Sequence, residues 1–279
     1  VALVTRFAPS PTGPLHLGHA YAALVAHDMA RAARGRFLLR IEDIDRARCR
    51  PEWEAAIYED LGWLGLAWGL PVWHQSTRLP AYTSALNRLI SLGLCYPCRC
   101  SRSDIRLALS APQQAGPDGP TYPGTCRARP MLEASATDAI RLDLARALAF
   151  LGPRPRRFSE TGPAHAGLHA VSEEWLLTTC GDIVLSRRDM GTSYHLAVVV
   201  DDAAQGVSHV TRGEDLFEAT HIHRLLQALL ELPTPVYHHH RLIRDDRGQR
   251  LAKRDDARAL ARYRAEGASP ADIRRLIGL

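Results

Sequence analysis

Hydrophobic and polar positions change period several times along this chain. Residues 1–8 (VALVTRFA) are mostly apolar and β-branched, which predicts a buried strand. A Pro/Gly-rich loop follows at 9–15. From 17 to about 34 the apolar positions Tyr21, Leu24, Val25 and Met29 recur at helical spacing, and Gly35 is expected to end that helix. Residues 37–43 read as a second strand. Strand, loop, helix and strand in this order make the βαβ unit of a parallel sheet. Residues 52–64 and 80–93 predict further helices. Periodicity then weakens. The segment 96–170 is rich in proline, glycine and cysteine, and "SAPQQAGPDGPTYPG" (110–124) is loop by composition. We read 96–170 as an insertion with a small helix near 132–148. Strand signals resume at 183–187, 194–200 and 207–211, the second being a nearly unbroken apolar run of the kind covered on both faces. Residues 215–230 predict an amphipathic helix with Leu216, Ala219, Ile222, Leu225, Leu226 and Leu229 on one side, stopped by Pro233 and Pro235. The remainder, 236–279, predicts one strand, a tight glycine turn in "RDDRG" (244–248) and two short helices.

Composition narrows the class. The chain has 279 residues, 46% hydrophobic and 23% charged, enough for a real core in one large domain or two smaller ones. No apolar run would span a bilayer and no secretory leader opens the chain, so a cytoplasmic protein with no membrane partner is expected, as a monomer. A net charge of +5 permits a nucleic-acid partner. Lys253 is the only lysine in the chain, although arginine could have served any generic charge there. Of the six cysteines, Cys98, Cys100 and Cys126 cluster in the insertion, which suggests metal rather than disulfide chemistry.

Five stretches carry candidate chemistry. In "FAPSPTGPLHLGHAYAALVAH" (7–27), a strand ends in a glycine-bearing loop that feeds a helix N-terminus, an arrangement suited to phosphate. His16 and His19 lie one turn apart there, and Gly18 removes a side chain where a flat ring could approach. In "RIEDIDRAR" (40–48), Arg40 and Glu42 share a strand face at the end expected to border the ligand crevice. Asp43 and Asp45 are as well explained by solvation. In "TSYHLAVVVDD" and "VTRGEDL", Tyr194 offers a hydroxyl and Arg212 a planar fork suited to a carboxylate. A structural ion pair of Arg212 with Glu214 or Asp215 is the competing explanation. "RLAKRDDA" (250–257) places Lys253 as a movable point charge. Cys98, Cys100 and Cys126 supply three thiolates where zinc prefers four ligands, and chemistry alone leaves Cys95 or an oxygen donor as the fourth. His238–His240 cannot share one face, which argues against a metal role, and His221 and His223 are expected on a helix surface.

The stretch His16-Leu17-Gly18-His19 resembles the HIGH signature of class I aminoacyl-tRNA synthetases. "RFAPSPTGPLHLGH" and "RIEDID" resemble the glutamyl and glutaminyl branch, and "RLAKR" resembles a degraded KMSKS loop in which Lys253 is retained. The resemblance implies a Rossmann-like parallel α/β sheet with an inserted zinc-bearing subdomain and a short helical C-terminal part. It divides the chain into a first half of the catalytic domain (1–95), the insert (96–171), the second half (172–235) and a C-terminal segment (236–279). It implies that His16, Gly18, His19 and Lys253 bind ATP, with Mg²⁺, and that both histidines and Lys253 are catalytic. Glutamate would be held by Arg6, Ala8, Ser10, Glu42, Tyr194 and Arg212, with Glu42 on the α-ammonium. "YPGTC" resembles a tyrosine-x3-cysteine ligand pair, which implies Tyr122 beside Cys98, Cys100 and Cys126 on one structural Zn²⁺.

The matching stretches run from residue 6 to about 257, with only a short tail after them, so no anticodon-binding domain is expected. That resembles short paralogues of the branch that activate L-glutamate with ATP in the absence of tRNA. They then transfer it to the queuosine base in the anticodon loop of tRNA(Asp). Alternatives are a truncated glutamyl-tRNA synthetase that charges a tRNA 3′ end, a non-catalytic RNA-binding relative, and an HxGH nucleotidyltransferase. The last would need neither "RIEDID" nor Arg212 nor the cysteines.

Overall fold

The computed structural model describes residues 2–108, 115–116, 119–244 and 258–279. Strand β1 (Val4–Phe7), helix α1 (Leu17–Ala32) and strand β2 (Arg36–Ile41) form the expected βαβ unit, with β1 and β2 parallel and Arg6 opposite Leu38. The left-handed residue after α1 is Arg34 (φ 51°), not Gly35. Gly35 is needed for another reason: a Cβ there would lie 2.1 Å from the carbonyl oxygen of Leu3. Helix α2 (Pro51–Trp63) leads into β3 (Gly69–His74), which extends the parallel sheet in the order β1-β2-β3, and α3 (Leu79–Ser91) follows.

The next elements are β4 (Cys95–Cys98), α4 (Arg102–Ala108), the short pair β5 (Ala115–Gly116) and β6 (Gly119–Pro120), β7 (Ala139–Leu142) and α5 (Leu144–Leu151). The helix expected near 132–148 is therefore corrected. Residues 139–142 are a strand between β4 and a later neighbour, and α5 starts at Leu144, where Asp143 accepts a hydrogen bond from the Arg146 amide at 3.0 Å. Strands β8 (Arg157–Glu160) and β9 (Gly167–Ala170), the short α6 (Glu173–Trp175) and β10 (Val184–Ser186) come next, β10 completing the antiparallel sheet β10-β7-β4.

A second correction falls on 194–200. These residues open helix α7 (Tyr194–Ala204), capped by Ser193, whose hydroxyl accepts from the Leu196 amide at 3.3 Å. Leu196, Ala197, Val198 and Val199 are all buried, so α7 is apolar around most of its girth and has no period to read. Strand β11 (His209–Gly213) is followed by a 3-10 turn at Glu214–Leu216 and helix α8 (Ala219–Leu229), then β12 (Val236–His240). The second sheet runs β11-β12-β8-β9, with β11, β12 and β8 parallel. Helices α9 (Leu260–Ala265) and α10 (Pro270–Ile277) close the chain. Residues 245–257, including most of the "RDDRG" turn and all of "RLAKRDDA", lie outside the described residues.

The two sheets meet side by side at β1 and β11. The Ser208 amide donates to the Val4 carbonyl at 3.0 Å, and the Arg6 Nη1 donates to the Thr211 carbonyl at 3.0 Å. One apolar core fills the space under α1, where Leu24, Leu39 and Ile41 meet Leu260, Ile273 and Ile277 of the C-terminal helices. A two-pronged pair of Arg274 with Asp28, at 2.7 and 3.0 Å, fastens α10 to α1. A second core joins α7, α8 and the insert through Leu142, Leu176, Leu196 and Ile222. Among the described residues no helix is long and apolar enough to cross a membrane. The Gly35→Ala variant is expected to lose about 1–3 kcal/mol of stability in urea unfolding, because β1 and the end of α1 must separate to admit the methyl group.

Candidate active site

The turn from β1 into α1 is organised by its two histidines. His16 N-caps the helix: its Nδ1 accepts from the Gly18 amide at 3.1 Å, while its own amide donates to His19 Nδ1 at 3.2 Å. With both Nδ1 atoms accepting, the proton of each neutral ring sits on Nε2, a donor of the kind a phosphate oxygen accepts. The rings lie 3.8 Å apart between centroids. A Cβ on residue 18 would meet His16 Cε1 at 2.9 Å, so glycine is what lets the ring lie over the helix start. There is no acidic residue in the first turn of α1, and the helix dipole favours an anion at this end. Where the described chain resumes after residue 257, Ala259 bridges His16 and the Leu260 amide donates to the Leu15 carbonyl at 2.8 Å.

Beside this turn, at the junction of the two sheets, charges are buried together. Arg6 grips Asp202 through Nε at 3.0 Å and Nη2 at 3.3 Å. Arg40 Nη1 reaches Asp202 at 2.8 Å and Gln205 at 2.9 Å, and its Nη2 donates to Glu42 at 3.2 Å. Asp201 is taken by Tyr82 at 2.6 Å and Arg78 at 3.0 Å. Burial opposes the Asp202 charge, but Arg6 and Arg40 more than offset it and hold its carboxyl below the ordinary range. Glu42 is the reverse: burial raises its carboxyl, and the pull of Arg40 and Arg6 does not fully compensate. Asp201 and Asp202 are buried partners of these cations that a strand reading of 194–200 could not reveal. Asp43 is not merely solvated, since it accepts from the Ser76 amide and hydroxyl at 2.8 and 2.6 Å, while Asp45 pairs with Arg48.

Across the junction stands Arg212 on β11. Its Nε donates to His239 Nε2 at 3.0 Å, Nη1 to His223 Nδ1 at 2.9 Å and to the Tyr194 hydroxyl at 3.4 Å, and Nη2 to Thr220 Oγ1 at 2.7 Å. Among the described residues it has no carboxylate within 4 Å, so the expected alternative pairing with Glu214 or Asp215 is not found. His221 and His223, expected on a helix surface, are buried, and burial pushes His223 well below its ordinary range, with Arg212 and His195 adding to the shift. Burial likewise raises the Tyr194 hydroxyl, which senses Arg212, Glu42, Arg6 and Asp202. The structure thus brings Arg6, Glu42, Tyr194 and Arg212 to one place. Ala8 is half-buried and Ser10 exposed on the loop leaving β1. Lys253 lies outside the described residues.

The insert holds the cysteines as a compact group. The sulfurs of Cys98, Cys100 and Cys126 all lie within 4.8 Å of one another, with Cys100 and Cys126 at 3.5 Å. The Tyr122 hydroxyl is 3.4 Å from Cys98 Sγ and 3.5 Å from Cys100 Sγ. Four donors about 3.7 Å apart would surround a tetrahedral zinc with Zn–S bonds near 2.3 Å, so the group fits that ion. Cys95 is not part of it: this residue faces the second apolar core, where burial pushes its thiol up to about 12. A cavity of about 710 Å³ is lined by Cys100, Tyr122, Arg141 and Arg187 together with Tyr194 and His195 of α7.

Residues 2–279 match the family described as tRNA synthetases class I (E and Q), catalytic domain. The chain is 65% identical to a glutamyl-Q tRNA(Asp) synthetase of Rhodobacter capsulatus, covering 99% of this chain and 100% of that protein. It is 44% identical to the protein of the same name in Symbiobacterium thermophilum, covering 97% and 84%. Among solved structures it resembles a glutamate tRNA ligase from Elizabethkingia meningosepticum in complex with its amino acid, at 25% identity and a TM-score of 0.77. It resembles the glutamate-tRNA synthetase of Elizabethkingia anophelis at 25% identity and 0.78. It covers 99% of its own length in both but spans only about 60% of those chains.

Asp202→Asn strips two buried guanidinium groups of their shared anion and is expected to cost about 3–5 kcal/mol at pH 7. Because the folded Asp202 carboxyl lies below 3.8, its contribution is present above that value and lost as pH falls through the folded value. The gap between parent and variant in urea unfolding should therefore narrow below about pH 4.

Proposed function

The chain belongs to the class I tRNA synthetase family for glutamate and glutamine and is an aminoacyl-tRNA synthetase-like ligase, and on that premise we propose that it activates L-glutamate with ATP without tRNA and passes it to the queuosine base of tRNA(Asp). One observation carries the amino-acid part. Among the described residues Arg212 is a buried cation with only neutral partners, and Glu42 is a mostly buried anion whose compensation is incomplete. A zwitterion with an additional carboxylate repairs both deficits at once, with its ammonium on Glu42 and a carboxylate on Arg212. The Tyr194 hydroxyl lies between them electrostatically, and Arg6, Ala8 and Ser10 supply the adjoining wall.

In the first step the α-carboxylate of glutamate attacks the α-phosphorus of ATP in line, pyrophosphate leaves, and glutamyl-adenylate forms. His16 and His19 donate from Nε2 to phosphate oxygens as charge develops, at a helix end that favours it, and Gly18 gives the nucleotide access to the backbone. Lys253 would add an ammonium to this charge, as the resemblance of its stretch implies. Mg²⁺ bound with ATP supplies further positive charge. In the second step a hydroxyl of the modified base's cyclopentene ring attacks the acyl carbon and releases AMP. The insert (96–171) would hold one structural zinc on Cys98, Cys100, Tyr122 and Cys126. The names of the relatives from Rhodobacter and Symbiobacterium support the choice of tRNA(Asp) and queuosine.

Glutamate-dependent exchange of pyrophosphate into ATP should proceed with no tRNA added, and Arg212→Lys, which keeps charge but loses the fork, should raise the glutamate KM about 100-fold. Labelled glutamate should appear on tRNA(Asp) only when it carries queuosine, whereas an ester on the terminal adenosine would identify a truncated charging enzyme instead. Elemental analysis of the purified protein should find about one zinc per chain, lost in Cys126→Ser.

A further inference from the structure

Behind Arg212 a line of hydrogen bonds crosses three adjacent strands. The parallel register places Arg212 on β11 opposite His239 on β12, and Glu160 on β8 is paired with Tyr237, two residues before His239. Glu160 Oε1 accepts two backbone amides, from Gly162 at 2.6 Å and His239 at 2.9 Å. Its Oε2 faces His239 Nδ1 at 2.5 Å, and His239 Nε2 faces Arg212 Nε at 3.0 Å. Both side chains of the Glu160–His239 pair are fully buried.

Only one arrangement of protons satisfies this line. Arginine has donors and no acceptor, so His239 Nε2 must present a lone pair. The ring proton is then on Nδ1, and Glu160 must be an anion to accept it. Burial opposes that charge, yet the His239 ring and the two amides bring the Glu160 carboxyl down to about 2, while burial keeps His239 low and therefore neutral. A second line repeats the logic. His223 Nδ1 accepts from Arg212, so its proton is on Nε2, which lies 3.0 Å from His195 Nδ1.

We propose that Glu160, acting through the tautomer it imposes on His239, is a positioning residue that aims the Arg212 guanidinium at the carboxylate of the amino-acid substrate. The proposal rests on the reading of Arg212 as a carboxylate-binding residue. A neutral acceptor holds the Nε edge of the fork without neutralising it. A carboxylate in that place would hold Arg212 as firmly but would satisfy its charge and weaken its attraction for substrate. Placing the anion one ring away gives direction while leaving the charge for the ligand. Of the five N–H groups of Arg212, four have partners among the described residues, the Tyr194 contact is long, and one Nη2 hydrogen has none among them to compete with the ligand.

Glu160→Gln tests this with almost no change of shape. The two backbone amides keep the carbonyl oxygen at the Oε1 position, so the new amide nitrogen faces His239 Nδ1 as a donor. His239 must then carry its proton on Nε2, donor against donor with Arg212. The expected result in glutamate-dependent pyrophosphate exchange is a glutamate KM raised about tenfold or more, with ATP KM and kcat within threefold. Nitrogen-15 spectra of the imidazole should show the proton moved from Nδ1 to Nε2. A glutamate KM within twofold of the parent overturns the proposal, whichever nitrogen carries the proton. Should Glu160→Gln not fold, His239→Gln and His239→Leu take its place, since both leave Glu160 without the ring and differ in offering Arg212 an acceptor. The Gln variant should have a glutamate KM about tenfold lower than the Leu variant, and equal values overturn the proposal. If Arg212→Lys itself leaves the glutamate KM unchanged, the reading of the pocket has failed rather than the relay behind it.

Discussion

The structure depends on how charge is buried where its two sheets meet. No continuous ladder joins β1 to β11, and Arg6 spans the junction, gripping Asp202 of α7 while donating to the Thr211 carbonyl. An ion pair at such a site contributes little net stability compared with apolar packing, because both ions lose their water. What it provides is placement. Asp202 is shared by Arg6 and Arg40, and Arg40 passes its remaining edge to Glu42, so the position of the Glu42 carboxylate is set by residues from β1, β2 and α7 together.

The distribution of charge across this junction is uneven. Carboxylates gather on the side of Arg6 and Arg40, where Asp201, Asp202 and Glu42 lie. On the other side Arg212 has histidines and a threonine. Among the described residues Arg212 has no counter-charge, while burial of the Glu42 carboxyl is not fully offset by Arg40 and Arg6, so the two sites favour ligand groups of opposite sign. Such a pocket is poorly suited to an apolar molecule or a simple anion. It suits a molecule that brings a cation to one end and an anion to the other. Neutrality of the surrounding rings is part of this: a proton on His223 or His239 would add a second cation against Arg212 and remove an acceptor from it.

Legibility in the sequence followed the kind of physics involved. The βαβ unit, the His16–Gly18–His19 turn and the cysteine group were readable because each rests on local spacing. Helix α7 was not, since an element buried on nearly every side shows no contrast between faces, and its length of apolar run fits strand and helix alike. The error had a consequence, because Asp201 and Asp202 become neighbours of Arg6 and Arg40 only when 194–204 is coiled. His221 and His223 were misjudged, and the burial of His239 went unread, for a different reason. A histidine is polar when its partners are unknown, and its burial is acceptable only once a distant residue supplies a donor on one nitrogen and an acceptor on the other. Arg212 is eleven residues from His223 and twenty-seven from His239 in sequence, and no local pattern announces those contacts. Gly35 shows the same limit on a smaller scale, since its neighbour Leu3 comes from the other end of the βαβ unit.

The insert is tied to the pocket by covalent and polar continuity. Arg141 of β7 lies over the Tyr122 ring at 3.9 Å and donates to the Asp182 carbonyl at 2.7 Å. The Asp182 carboxylate in turn takes Tyr96 at 2.6 Å, Arg127 at 2.8 Å and the Leu144 amide at 3.0 Å. Asp182 therefore gathers β4, the cysteine loop and the start of α5 onto the segment that enters β10, and β10 leads within eight residues to Ser193, the cap of α7. Contacts thus run from the cysteine group along one short strand to Tyr194, the first residue of α7, which lines the cavity. A metal held by the cysteine group would reach Tyr194 only through this chain of contacts and not directly.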